Sequence, residues 1–75
     1  MSELPLFKQI ESELRQRILG NELRPGDKLP SEAEMIDTYG VSRITVRQAL
    51  AELNAAGLIQ KVNGKGSFVA HPRDN

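Results

Sequence analysis

Seventy-five residues make one small domain, and a chain this short buries a smaller share of its surface than a longer one, so its core is marginal. Hydrophobic residues at 39% and charged residues at 27% are ordinary for a soluble fold, and no apolar run approaches the ~20 residues of a membrane helix. The chain has no cysteine, which excludes a disulfide framework and Cys-ligated zinc, and its start, MSELPLFK, lacks the basic and apolar regions of a secretory signal.

Pro5 suits the first turn of a helix, where its missing N–H is not needed. Phe7, Ile10, Leu14 and Ile18 then recur at helical spacing and mark a core-facing stripe. Glu11–Arg15 and Glu13–Arg17 are i,i+4 pairs in the favourable order, expected on the outer face. Gly20 is a stop signal. The connector NELRPGDKLP carries a Pro25-Gly26 turn, and Lys28-Leu29 is short enough for a single bridge in a small sheet.

Ser31-Glu32-Ala33-Glu34 matches a capping box, in which the Ser31 hydroxyl accepts from the Glu34 N–H and the Glu34 side chain reaches back. Met35, Ile36 and Tyr39 form the apolar side of this second helix, and Gly40 ends it. Val41 is an apolar turn residue expected to plug into the core. Ser42 caps a third helix that runs to about Ala56, before Gly57. At about 100° per residue, Val46, Ala49, Leu50 and Leu53 share its inner face. Arg43, Ile44, Arg47 and Gln48 face outward.

Leu58–Val62 and Ser67–Ala70 read as strands, joined through the tight-turn pair Asn63-Gly64, with Gly64-Lys65-Gly66 as a narrow basic tip. The last residues, 71–75, have no periodicity and read as a linker, leaving residues 1–70 as the domain. The expected fold class is α+β, mainly α: three helices plus a small antiparallel sheet with a β-hairpin wing.

Net charge is zero, but its distribution is not even. Residues 1–41 carry a net −3 and residues 42–70 a net +3, so the positive end coincides with the third helix and the hairpin. Two helices joined by a short turn, the second bearing two arginines, suit a DNA groove. An α-helix fits the major groove, and arginine presents a fork that matches guanine O6/N7 or a phosphate. Arg43 and Arg47 lie in the first two turns of that helix. Ser42 and Thr45 can hydrogen-bond phosphate oxygens, Ile44 can touch a thymine methyl or a sugar, and Gly64 and Gly66 let the backbone approach DNA.

Enzymatic readings find no support. His71 is the lone histidine and lies in the linker. Gly64-Lys65-Gly66-Ser67 lacks the residue order of a phosphate-binding loop, and no following helix is expected. Glu32 and Glu34, two apart on a helix, face different directions. No metal or cofactor is expected.

The run LPSEAEMIDTYGVSRITVRQALAELNAAGLI, followed by NGKGSFV, closely resembles the winged-helix DNA-binding domain of the GntR family of bacterial transcription regulators. PLFKQIESELRQRILGNELRPGDKLPSE resembles the family's first helix and connector, so the likeness covers about residues 4–69. The VRQAL and GKGSFV segments are most similar to the HutC-type subgroup. The resemblance implies a winged helix-turn-helix whose third helix enters the major groove of double-stranded DNA and whose wing enters the adjacent minor groove. It carries over to Arg43, Thr45 and Arg47 on the reading helix and to Gly64 in the wing. Ser31, Ser42, Ile44, Gln48, Asn63, Lys65 and Gly66 complete the candidate site. Ala33 departs from the pattern, because many members have a DNA-contacting arginine there; Ser31 or backbone N–H groups must serve instead.

The resemblance further implies a bacterial cytoplasmic regulator, most often a repressor, that acts as a homodimer on a palindromic operator and binds a small-molecule effector in a larger C-terminal domain. On that reading this chain is an isolated reading head, monomeric by itself because no broad apolar patch is left over. The competing reading is a winged-helix protein-interaction module that ignores DNA, to which zero net charge and the outward Ile44 lend support.

Overall fold

The structure is a computed structural model that describes residues 5–71. Most of the expected linker lies outside the described residues. Three helices come first, α1 (Leu6–Leu19), α2 (Glu32–Tyr39) and α3 (Arg43–Ala55), then the strands β1 (Ile59–Val62) and β2 (Gly66–Val69).

The apolar stripe of α1 packs mainly on α3. Pro5 stands one position earlier than expected, as an extended N-cap whose carbonyl accepts from the Lys8 and Gln9 N–H groups. Glu11 corrects the outer-face expectation, because it is only 4% exposed. The helical period puts it at the edge of the apolar stripe, next to Phe7 and Ile18. The whole side chain is buried, Oε2 included, and its charge is paired with the partly exposed Arg15 guanidinium. Glu13–Arg17 does lie outside, at 3.0 Å. At the end of α1, Gly20 keeps a negative φ and Asn21 takes the left-handed conformation. Glu22 N–H donates to Arg17 O and Asn21 N–H to Ile18 O, which is a Schellman ending with asparagine in the left-handed place.

The capping box of α2 is complete: Glu34 N–H donates to Ser31 Oγ at 3.0 Å, and Ser31 N–H donates to Glu34 Oε1 at 2.9 Å. The Ser31 N–H and then its hydroxyl hold the Glu34 carboxyl below the usual carboxylate range. A group lowered in the folded state adds stability above its unfolded pKa and loses it as pH falls through the folded value. Glu34→Gln keeps the box geometry and loses the charge. It should melt below wild type at neutral pH, with the gap closing as the pH is lowered. Ser31→Ala should cost about 1 kcal/mol at neutral pH. Thermal melts over a pH series check both.

Gly40, at φ 65°, turns the chain sharply out of α2, and Val41 N–H reaches back to Ile36 O. Val41 is half-buried against the core, as expected of the turn plug. Ser42 caps α3 by accepting from Thr45 N–H. Val46, Ala49, Leu50 and Leu53 are buried and meet Ile10, Leu14, Leu29, Met35, Ile59 and Val69 in one core.

β1 and β2 pair antiparallel with Ile59 opposite Val69 and Val62 opposite Gly66. Residues 63–65 form the loop, and Lys65 N–H donates to Val62 O. Gly64 has φ +78° while Asn63 stays at negative φ, so the turn is not the type I′ pair that Asn-Gly suggests. Lys65 is the extra loop residue, on the β2 side of Gly64. The connector adds a third ribbon. Lys28 bridges Phe68, Leu29 N–H donates to Ser67 O, and Val69 N–H donates to Asp27 O.

Candidate nucleic-acid interface

The short turn and the Ser42 cap set the first turn of α3 at the surface beside the N-terminus of α2. Ser42, Arg43, Ile44, Arg47 and Gln48 are exposed, and Thr45 is half-buried. Ile44 is 76% exposed, the most solvated large aliphatic among the described residues. Asn63, Gly64, Lys65 and Gly66 are exposed in the hairpin, and Ser31 is exposed at the start of α2. All the residues singled out in the sequence are therefore on the surface.

The hydroxyls offer less than their number suggests. Ser42 Oγ and Thr45 Oγ1 lie 3.1 Å apart and share one proton between them. Ser42 Oγ also accepts from Thr45 N–H at 3.3 Å. The pair thus keeps one O–H for an outside acceptor. Ser31 Oγ is likewise engaged, accepting from Glu34 N–H and turned toward the Glu34 carboxylate.

The tertiary fold adds two cations that the sequence reading left out. A groove of about 350 Å³ runs between the start of α2, the start of α3 and the hairpin, lined by Lys28, Ser31, Glu32, Arg43, Lys61 and Lys65. Lys28 arrives through the connector ribbon; its aliphatic stem lies across Gly66, where an added Cβ would come within 3.1 Å of Lys28 Cε. By chain segment Lys28 belongs to the acidic half, which hid it. Lys61 belongs to the basic half, and the backbone pairing of Lys61 with Ser67 sets it at the groove. Ala33 lines the same groove, so the side that lacks an arginine at Ala33 does hold the Lys28 ammonium.

Arg47 lies on the far side of Glu32. Its Nε is 3.4 Å from Glu32 Oε1, with the Arg47 side chain 62% and the Glu32 side chain 27% exposed. An exposed pair of this kind contributes about 0–1 kcal/mol to stability. Glu32 is the single acid among the residues lining the two grooves that flank it, against Lys28, Arg43, Arg47, Lys61 and Lys65. This surface is thus strongly cationic although the chain is neutral, which favours a polyanion over a neutral protein face.

The family model described as bacterial regulatory proteins, gntR family, matches residues 6–69. The mannosyl-D-glycerate transport/metabolism system repressor MngR of Escherichia coli is 41% identical over all 75 residues, which span 31% of that protein. The HTH-type transcriptional repressor NagR of Bacillus subtilis is 43% identical over 96% of this chain and 30% of its own length. The chain thus spans about a third of the curated relatives it matches. Among solved structures, AraR(DBD) in complex with operator ORR3 superposes with a TM-score of 0.89 at 38% identity, covering 92% of this chain and 83% of that one.

Proposed function

Because this chain belongs to the GntR family of bacterial regulatory proteins, we propose that it is the operator-reading head of a bacterial transcription repressor. The family is one of regulators, not enzymes. The observation that carries the reading is the cationic groove beside the exposed face of α3, on a fold that AraR(DBD) shares while bound to its operator.

On this reading α3 enters the major groove. Arg43 and Arg47 meet base edges, Ile44 packs on a thymine methyl or a sugar, and Gln48 adds a polar contact. The free proton of the Ser42–Thr45 pair and the Ser31 hydroxyl reach phosphates. Asn63, Gly64, Lys65 and Gly66 enter the adjacent minor groove. Lys28 and Lys61 line the path of the backbone between helix and wing and take the part of the missing arginine at Ala33. The whole regulator works in the bacterial cytoplasm as a homodimer, pairs two such heads on a palindromic operator, and senses a small molecule in a further domain.

In vitro selection from a random duplex pool tests this, using the chain alone and an artificially fused dimer. Enrichment of one half-site, duplicated as an inverted repeat for the dimer, is expected. No enrichment by either form would overturn the reading in favour of a protein-docking module.

Lys65→Ala should lower the slope of log Kd against log salt by about one and weaken all duplex sequences alike, because a phosphate contact releases counterions without reading bases. Lys28→Ala should do the same. Anisotropy titrations over a salt series measure the slope, and an unchanged slope for Lys65→Ala would remove the wing from the phosphate path.

A further inference from the structure

A carboxylate in the middle of a phosphate-binding surface repels the very polymer the surface attracts. Glu32 is such a group, flanked by grooves that hold five cations. Helix capping does not account for it, since the capping box uses Glu34. What Glu32 does touch is Arg47, through Nε at 3.4 Å.

We infer that Glu32 is a positioning residue that orients the Arg47 guanidinium for base reading and, by its charge, weakens binding to duplex DNA whatever its sequence. The inference rests on the operator-reading function proposed above. An exposed arginine on a helix samples many rotamers and can settle on any nearby phosphate. A carboxylate anchored at the first residue of α2 restrains that search, because both ends of the pair are held by backbone that the tight Gly40–Ser42 turn fixes. Engaging Nε leaves both terminal nitrogens of Arg47 for the fork-like contact with guanine O6 and N7. Preorganisation of this kind raises affinity where the fork finds its base, while the carboxylate charge lowers affinity for every duplex alike. Preference comes from the first effect alone, and the second sets the overall affinity.

The two effects also separate experimentally. Glu32→Gln removes the charge and keeps the size. It should bind a scrambled duplex roughly threefold to tenfold tighter, since one less negative charge faces the phosphates. Its preference for the selected operator over the scrambled duplex should fall by about tenfold, a sizeable share of what one bidentate arginine–guanine pair discriminates. Glu32→Asp keeps the charge but not the reach. It should leave scrambled binding at the wild-type level and still lose preference. In an Arg47→Ala background, Glu32→Gln should raise scrambled binding as before and leave the remaining preference unchanged. A purely structural role would move melting temperature and both affinities together.

The measurements are anisotropy titrations of the chain, or of its fused dimer, on the duplex enriched by wild type and on a scrambled version. Thermal melts of each variant accompany them. Unchanged preference in Glu32→Gln with wild-type melting would overturn the inference and leave DNA reading intact. Loss of preference in Glu32→Gln that persists undiminished in the Arg47→Ala background would show that Glu32 acts without Arg47, and would overturn it too. If wild type enriches no duplex at all, the operator-reading function itself fails and this inference with it.

Discussion

Arg43→Ala and Arg47→Ala should each cut the preference for operator over scrambled duplex sharply, leaving a remainder carried by the other contacts, with the fold intact. Each arginine is exposed, in the first two turns of a helix whose first turn is held outward by the Ser42 cap. A bidentate arginine–guanine contact contributes roughly 1–3 kcal/mol of discrimination, so each loss spans about fivefold to more than a hundredfold. Neither change opens the core, and surface substitutions of this kind stay within about 0.5 kcal/mol in stability. The two should differ in salt dependence. Arg43 stands with three lysines around one groove, and its loss should also flatten the salt slope. Arg47 is already paired with Glu32, and its loss should act more on preference than on slope. Mobility-shift titrations with the selected operator decide the matter, and unchanged operator binding by both variants would sink the residue assignment.

Leu53→Ala should unfold the domain or come close to it. Leu53 is 0% exposed, on the α3 face that meets α1, and its carbonyl accepts the Leu58 N–H that closes the helix. Truncating a leucine in such a site costs about 2.7–5 kcal/mol through lost burial and the cavity left behind. A domain of this size loses roughly 4–8 °C of melting temperature per kcal/mol, so a drop of at least about 10 °C is expected. Ile44→Ala, on the same helix but 76% exposed, should leave the melting temperature nearly unchanged. A calorimetric scan of the two variants contrasts them. A small shift for Leu53→Ala would mean that the core is not where the packing places it.

The contrast between Leu53 and Ile44 shows how much was legible without coordinates. A helix has a fixed period, so spacing alone separates the buried face of α3 from the exposed one, and the capping box, the Gly40 turn and the Ser42 cap are read from short, local patterns. The family motifs added the same fold from another direction. Periodicity applied too coarsely put Glu11 outside, although its angle falls at the edge of the apolar stripe, and the Asn63-Gly64 pair suggested a tighter turn than the register allows.

What the sequence determined by itself was therefore most of what neighbours a few residues apart govern: approximate helix limits, the inner and outer faces of α3, its arginines and the glycines of the wing. What only the tertiary structure decided was which distant charges share a surface. Lys28 sits in an acidic stretch of chain, yet backbone pairing with Phe68 carries it to the wing and lays its side chain across Gly66. Glu32 and Arg47 are fifteen residues apart, yet the turn between α2 and α3 brings them within 3.4 Å. Electrostatic interaction depends on distance through space, which folding sets, and chain order carries no direct record of it.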